Sequence, residues 1–388
     1  MITNEYIILI GSNIDADINL DRAKALISCI VTITKTSRIY QTTSINPAYP
    51  DFLNQAIQVS TSLPEISLRK ELRLIEAQLY RERGSDPYAS RTIDLDLYMV
   101  NDVWCQEAVE DLEHEQLLVA LTDIIPHKKL PNGIVLQKYF NQIATGKRYK
   151  IESITKTALI TGASKRIGRA LALAFAKKGY DIILHSSKPS DLTQEVADII
   201  KMMGQDCLIW YQDFSESNYD MGILKNHRID LLINCAAVFI SDEAIKHQAH
   251  LAHQQYLINY EAPKKLIHTF VEHHKYGHII NILDNKIASH DRHHGHYIMT
   301  KKMLYELGLD ITSKYMPHIR ANAICPGWIL DPVNQDPLKY HKIQKTILAR
   351  RLPRKGDVAD VVSAAIFLQD NTFINGQVIF LDGGRHLL

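Results

Sequence analysis

The sequence predicts an α/β protein made of two consecutive domains, the second of them a doubly wound parallel sheet. Three observations predict it. The chain has 388 residues, enough for two domains at roughly 100–200 residues each. From residue 157 onward, short apolar strands alternate with helical stretches, the pattern of a parallel sheet covered by helices. The two parts also differ in charge. Residues 1–150 hold 16 basic and 19 acidic residues, residues 151–388 hold 28 and 24, and 16 of the 18 histidines lie in the second part. The polar, basic stretch Ala144–Lys150 sets the boundary: a linker near 145–156, with domains over 1–148 and 155–388.

Composition narrows the class. Hydrophobic residues are 46% and charged residues 22%, so a sizeable core can form and wholesale disorder is excluded. Lys plus Arg number 44 against 43 Asp plus Glu, a net charge of +1. That balance argues against bulk capture of nucleic acid or an anionic membrane. No apolar run reaches the ~18–20 residues of a membrane span, and the opening Met-Ile-Thr-Asn-Glu lacks the basic region of a secretion signal. A cytoplasmic protein is expected. The five cysteines show no C-x-x-C pair and read as reduced, mostly buried thiols.

In the first part, Tyr6–Ile10 forms a buried strand ended by the turn cluster Gly11-Ser12-Asn13. A helix follows near 19–30, and Leu68, Leu72, Ile75 and Leu79 mark one face of another. Arg91-Thr92-Ile93-Asp94-Leu95-Asp96-Leu97-Tyr98 alternates strictly, so it reads as a strand with Asp94 and Asp96 on one face and Ile93, Leu95 and Leu97 in the core. Two adjacent carboxylates repel unless a cation sits between them, and magnesium prefers one or two carboxylates plus phosphate oxygens. A solvated edge-strand face fits the alternation equally well. Arg81, Arg83 and Arg91, within eleven residues, favour the metal reading, because guanidinium forks suit phosphate.

Gly11-Ser12-Asn13, Pro50-Asp51-Phe52-Leu53-Asn54-Gln55-Ala56, Ile75-Glu76 and Arg91-Thr92-Ile93-Asp94-Leu95-Asp96 resemble, in order and spacing, the hydroxymethyl-dihydropterin pyrophosphokinases, over roughly residues 4–140. The resemblance implies a ferredoxin-like α+β fold. It implies that Asp94 and Asp96 hold magnesium between ATP and pterin, with Arg81 and Arg91 as catalytic phosphate contacts. Arg83, Glu76 and His114 would lie at the nucleotide. Asn54 would bond the pterin edge, Phe52 would stack on the ring, and Thr42, Thr43 and Ile45 would line its slot. The chain departs from the family at Tyr88-Ala89-Ser90, where the family has Trp-Gly-Pro, and after His114, where Glu115–Val119 replaces a longer stretch with an Arg and a second aromatic.

In the second part, the strand Thr157–Ile160 meets Thr161-Gly162-Ala163-Ser164-Lys165-Arg166-Ile167-Gly168 and then a helix from Arg169 to Lys178. Strand, glycine loop and helix are the context of a dinucleotide site. Further strands are expected at Ile182–His185, Cys207–Tyr211, Leu231–Asn234, His278–Leu283, Ala321–Cys325 and Val378–Leu381. The second strand ends in His185-Ser186-Ser187-Lys188 with no acid for ribose hydroxyls, while Lys165, Arg166 and Lys188 can meet a 2′-phosphate; NADPH is the expected cofactor. Tyr297 and Lys301 share a helix face four residues apart, a spacing that lets an ammonium lower a phenol's pKa. Asp284 follows a strand at its carboxyl end.

These features resemble the short-chain dehydrogenases/reductases over about 155–388, and within them the pteridine and dihydromonapterin reductases. The likeness rests on the glycine loop, Asp213, Asn234-Cys235-Ala236, Asn259, Tyr297 with Lys301, Pro326-Gly327 and the tail Leu381–Leu387. It implies a Rossmann-type sheet and hydride transfer from NADPH to a dihydropterin. Tyr297 would relay the proton, Lys301 would tune it and bind ribose, Asp284 would support it, and Asn259 would hold a water. Gly162, Lys165, Arg166, Ile167, Gly168, His185, Ser186, Ser187, Asp213, Asn234, Ala236, Pro326, Gly327 and Ile329 would surround the cofactor, with Phe239 stacking on the pterin. The histidine run His290, His293, His294, His296 reads as a rim loop rather than a metal site.

Together the two parts suggest a bifunctional pterin enzyme: pyrophosphate transfer from ATP to 6-hydroxymethyl-7,8-dihydropterin, and NADPH-dependent reduction of dihydromonapterin or dihydrofolate. Its partners would be small-molecule pterins and copies of itself, as a dimer or tetramer through the reductase domain. One alternative is a kinase-like domain that only binds or assembles, leaving the reductase as the active half; another is a reductase for a different carbonyl or quinone substrate.

Overall fold

The computed structural model describes residues 3–44, 48–82, 89–105, 118–144, 151–216, 219–289, 291–330, 352 and 354–387. It divides into two units, Met1–Thr155 and Lys156–Leu388.

In the first unit, β1 (Asn4–Ser12), α1 (Ala16–Ser28), β2 (Thr32–Thr36), β3 (Ile39–Thr42), β4 (Phe52–Thr61), α2 (Glu65–Gln78) and β5 (Asp94–Val100) follow in order. The sheet runs β5-β1-β4-β2 with every neighbour antiparallel, the ferredoxin-like βαββαβ arrangement. β6 (Val103–Trp104) extends one edge. The other edge corrects an expectation. Part of the predicted linker is a strand, β7 (Ile151–Ile154), hydrogen-bonded antiparallel to β3. Two short helices, α3 (Val119–Thr122) and α4 (Leu136–Ala144), complete the unit.

The periodicities account for these elements. On α2, Leu68, Leu72, Ile75 and Leu79 are all buried, as are Leu20, Ala23 and Ile27 on α1. Each large aliphatic side chain so buried contributes roughly 1.5–3 kcal/mol. Ile93, Leu95 and Leu97 are buried as expected. β5 begins at Asp94 rather than at Arg91, and its two acids differ: Asp94 is buried and Asp96 exposed.

The second unit continues with β8 (Thr157–Ile160), α5 (Arg166–Lys177), β9 (Asp181–Ser186), α6 (Asp191–Met202), β10 (Cys207–Tyr211), α7 (Gly222–Asn226), β11 (Leu231–Asn234), α8 (Asp242–His247), α9 (His250–Tyr256) and a π-helical turn at Leu257–Glu261. Then come α10 (Ala262–His273), β12 (Gly277–Ile282), α11 (Gly295–Tyr315), β13 (Ile319–Pro326), α12 (Val358–Asp370) and β14 (Val378–Leu381). The strands form one sheet, β10-β9-β8-β11-β12-β13-β14, with every neighbouring pair parallel. This is the doubly wound Rossmann order. Its direction of winding reverses between β8 and β11, and ligands of open α/β sheets bind outside the carboxyl ends of the strands at such a point.

Among the described residues, no helix is long and apolar enough to cross a membrane. All five cysteines are free; Cys105 and Cys325 are buried, whereas Cys29 is exposed.

Candidate active sites

In the first unit the charged side chains converge where β5 meets α2. Arg81 donates to Glu76 Oε1 and to Asp94 Oδ1, and Arg91 donates to Asp94 Oδ2. Glu76 Oε1 also accepts the Leu95 backbone N–H at 3.0 Å. Two carboxylates and two guanidinium groups thus neutralise one another in a half-dry place, where such pairs are stronger than in water. Both oxygens of Asp94 are engaged, so a cation arriving there must share or displace an arginine. Asp96 lies on the same strand face but in solvent.

Asn13 ties this cluster to the opposite loop. Its Oδ1 accepts the Arg91 N–H at 2.7 Å, and its Nδ2 donates to the Pro50 carbonyl at 3.1 Å and to Ser90 Oγ at 3.3 Å. Asn54 is buried and donates to Thr42 Oγ1 at 2.7 Å. A Cβ on Gly11 would lie 3.1 Å from Asn54 Oδ1, so a glycine there leaves room for the amide. Phe52 and Thr43 are half-buried, Phe52 facing Thr42 across the strand pair. Asp51 braces the same loop, accepting from Gln41 Nε2 at 3.0 Å and from the Ser44 N–H at 3.2 Å. Sequence reasoning gave Asn13 and Asp51 no role, although both lie in the quoted motifs. Ile45, Arg83 and His114 lie outside the described residues.

In the second unit, the loop after β8 is shaped by close backbone approach. Gly162 has φ +66, and a Cβ there would lie 3.0 Å from Ala236 Cα; a Cβ on Gly168 would lie 2.2 Å from the Gly162 carbonyl oxygen. Thr161 Oγ1 accepts the Cys235 and Ala236 N–H groups at 2.9 and 3.0 Å, locking the loops after β8 and β11 together at the reversal point. Arg166 adopts φ +54 without being glycine, a left-handed conformation that costs an L-residue roughly 1–2 kcal/mol and that clusters at ligand sites. Lys165 and Arg166 are exposed, as are Ser187 and Asp213; Asp213 caps its own turn through Ser215 at 2.8 Å.

His185 corrects an expectation. It does not present its ring to a cofactor. It is buried at 2% exposure, accepts the Gly162 N–H on Nδ1 at 3.1 Å, and donates from Nε2 to the Gln212 carbonyl at 2.9 Å. It stacks on Phe214 at 4.1 Å. Burial pushes its pKa down to about 4, so it stays neutral. It braces the glycine loop from beneath. Ser186 is also buried, its hydroxyl donating to the Lys188 carbonyl. Asn234 donates to Asn281 Oδ1 at 2.9 Å across β11 and β12.

Tyr297 is 6% exposed and donates to Asp284 Oδ2 at 3.2 Å. Lys301 is buried and donates to the Ile282 carbonyl at 2.8 Å. The expected lowering of the phenol's pKa is reversed: burial, and then the Asp284 carboxylate, push Tyr297 well up. Burial moves Lys301 down. The phenol is therefore held protonated. Phe239 is 56% exposed, edge-on to Tyr297 at 4.7 Å, with His294 stacked on it at 4.3 Å. The Asn259 side chain bonds the Val238 N–H and carbonyl, both at 2.8 Å. It sits in the π-helical turn, a distortion frequent at functional sites.

Pro326 ends β13, the Gly327 N–H bonds the Leu381 carbonyl at 2.9 Å, and Ile329 is buried just beyond. Asp382 gathers the tail, accepting from the Gly384 and His386 N–H groups and from Asn285 Nδ2. In the histidine run, His296 pairs with Asp242 and His294 with Asp291, while His290 lies outside the described residues. Among the described residues no group of three His, Cys, Asp or Glu could hold a metal ion.

Residues 7–145 match the family described as 7,8-dihydro-6-hydroxymethylpterin-pyrophosphokinase, and residues 162–386 the family described as enoyl-(acyl carrier protein) reductase. Glucose 1-dehydrogenase 2 of Bacillus subtilis (strain 168) is 27% identical over 251 residues, covering 60% of this chain and 95% of its own length. L-rhamnose 1-dehydrogenase (NADP(+)) of Thermoplasma acidophilum is 25% identical over 248 residues, covering 59% and 95%. FolM alternative dihydrofolate reductase 1 of Brucella canis, solved with NADP, superimposes at a TM-score of 0.55 and 24% identity over 60% of this chain and 94% of that one, which shows a shared fold. The protein belongs to the enoyl-(acyl carrier protein) reductase family of short-chain dehydrogenases/reductases through its second unit, and it joins to that oxidoreductase a pyrophosphokinase-family domain.

Proposed function

We propose that the first unit transfers pyrophosphate from ATP to 6-hydroxymethyl-7,8-dihydropterin and that the second reduces a dihydropterin, dihydromonapterin or dihydrofolate, with NADPH. The observation that carries the reductase reading is the buried Tyr297 hydroxyl, which donates to Asp284 Oδ2 at 3.2 Å beyond the carboxyl end of β12. A phenol held there can give the proton that accompanies hydride addition.

The dinucleotide fits the loop. Glycine at 162 and 168 leaves backbone groups accessible where a Cβ would intrude, and α5 presents its N-terminus there. Lys165 and Arg166 at the mouth, with no acid at the end of β9, favour a 2′-phosphate. Bound NADPH supplies the hydride. Tyr297 Oη would give the proton, Asp284 holds that hydroxyl at 3.2 Å, Lys301 would meet the nicotinamide ribose, and Phe239 would offer a ring to the substrate. In the first unit the donor set suits a hard cation: Asp94 and Asp96 would hold magnesium, which screens phosphate charge. Arg81 and Arg91 would turn from Asp94 to the phosphates, and Asn54 would meet the pterin edge.

The relatives named as sugar dehydrogenases favour a second reading, a non-aromatic carbonyl substrate for the reductase beside a kinase-like domain that only binds. Two assays separate the readings: AMP release from ATP with 6-hydroxymethyl-7,8-dihydropterin, and NADPH oxidation with dihydropterins against glucose-type and simple ketone substrates. Pterin-dependent AMP release and pterin-dependent NADPH oxidation support the proposal. Ketone preference with no AMP overturns it.

A further inference from the structure

The chain from Val238 to Asp242 leaves the carboxyl end of β11 as an arm that carries Phe239, and it is anchored at every second residue. Val238 donates its N–H to Asn259 Oδ1 and receives Asn259 Nδ2–H at its carbonyl, both at 2.8 Å. Ile240 donates its N–H to Gln255 Oε1 at 2.8 Å. Asp242 donates its N–H to the His293 carbonyl at 2.8 Å, and its carboxylate accepts the Gly295 N–H at 2.7 Å and the His296 N–H at 3.2 Å. His296 Nδ1 adds a contact at 2.9 Å.

These anchors differ from ordinary loop contacts. Gln255, in α9, and Asn259, in the π-helical turn that follows, are fully buried amides four residues apart. Asp242 caps the first turn of α11 from a separate segment; the helix's own N-cap residue, His294, makes no side-chain cap. A Cβ on Gly295 would lie 3.2 Å from Asp242 Oδ2, a tight contact, so glycine there leaves the carboxylate room at the helix start. The bonds at 238 and 240 hold the backbone on both sides of Phe239, and those at Asp242 hold the start of α8 that follows. Phe239 stands edge-on to Tyr297 at 4.7 Å, in the first turn of α11 that Asp242 caps.

We infer that Gln255 and Asp242 are positioning residues for substrate choice. They hold Phe239 as a fixed ring wall beside Tyr297, so the site selects flat conjugated heterocycles over small flexible carbonyl compounds. This rests on the reductase reading above.

The test combines hydrogen exchange of the segment 237–243 with steady-state NADPH oxidation, in the full chain, for Asp242→Ala, Asp242→Asn, Gln255→Leu, Phe239→Ala and Phe239→Ala/Asp242→Ala. Asp242→Ala and Gln255→Leu are expected to speed exchange in that segment about tenfold while β12 keeps its protection. The KM for dihydropterin should rise about fivefold, the size of an aromatic-pair term, with kcat and the KM for NADPH within about twofold. Asp242→Asn, which keeps an acceptor oxygen, should recover most of the loss. In the Phe239→Ala background, Asp242→Ala should add nothing. Additive effects in the double variant, a fall in kcat at constant KM, or unchanged exchange in 237–243 overturns the inference. Should Gln255→Leu fail to fold, Asp242→Ala, at a half-buried site, carries the test. A wild type that reduces no dihydropterin removes the functional reading and the selection claim with it, and exchange alone then decides whether the arm is latched.

Discussion

The two units hold their reactive groups by opposite means. In the first, Glu76, Arg81, Asp94 and Arg91 hold one another, charge against charge. In the second, Lys301 and His185 are fixed by backbone groups, the Phe239 arm by two buried amide side chains, and Tyr297 by one carboxylate. The difference teaches what each chemistry asks of a fold. Multiply charged phosphates bring their own strong field, so a cluster can balance itself without them and exchange partners on binding. A hydride acceptor brings little charge and cannot pull a site into shape, so that site is set in advance by short hydrogen bonds.

The sharpest way to break the comparison is Tyr297→Phe. It removes the proton donor while keeping the ring, and NADPH oxidation should fall about 10³-fold, with AMP release unchanged. A fall of less than tenfold in oxidation takes Tyr297 out of the proton-donor role. Next comes acid. His185 titrates near 4 in the fold and near its ordinary 6.5 in the unfolded chain, so the unfolded chain takes the proton first. Stability of the second unit is therefore intact above 6.5 and declines as the pH drops toward 4, by about 3 kcal/mol in full. Buried His278, also held neutral, adds in the same direction. Urea midpoints between pH 7 and 4 check this, and His185→Gln should flatten the curve; a midpoint that does not move with pH contradicts a neutral buried His185.

Asp94→Asn should lower AMP release about 10²-fold, the size of one preorganised charge contact. Because the approach of a polyanion from solvent is screened by salt, the kinase KM for ATP should also climb between low and high ionic strength while the reductase KM for dihydropterin stays level. Equal salt dependence in both assays would erase the contrast drawn above. The smallest effect belongs to Asn13→Ala. Losing three hydrogen bonds around Pro50, Ser90 and Arg91 should cost the first unit roughly 1–2 kcal/mol and leave the second unit's melting untouched, as calorimetry would read.

Much of the fold was legible along the chain. The faces of α1 and α2, the alternation in β5 and all seven strands of the second sheet follow from spacing, because neighbours in sequence decide which side of an element is apolar. Motif chemistry located the glycine loop and brought Tyr297 to Asp284. The misreadings share one cause. His185 reads as a ribose-end contact, yet Phe214 and Gln212 close over it from 27 and more residues away. The phenol of Tyr297 reads as acidified by Lys301, yet burial outweighs a neighbour four residues off. Ile151–Ile154 reads as a linker because nothing local reveals that β3 waits for a partner.

What the sequence by itself determined is the order of elements, the two families and the set of reactive side chains, since periodicity, turn chemistry and motif spacing are properties of adjacent residues. Only the tertiary structure decided which of those side chains face a ligand and which brace the frame. Asn13 reaching Pro50, Asn285 reaching Asp382 and Asp242 reaching Gly295 are contacts between segments 37 to 97 residues apart. Burial and hydrogen-bond partnership, and with them the shifts of His185 and Tyr297, arise where distant segments meet, and no local pattern in the chain encodes that meeting.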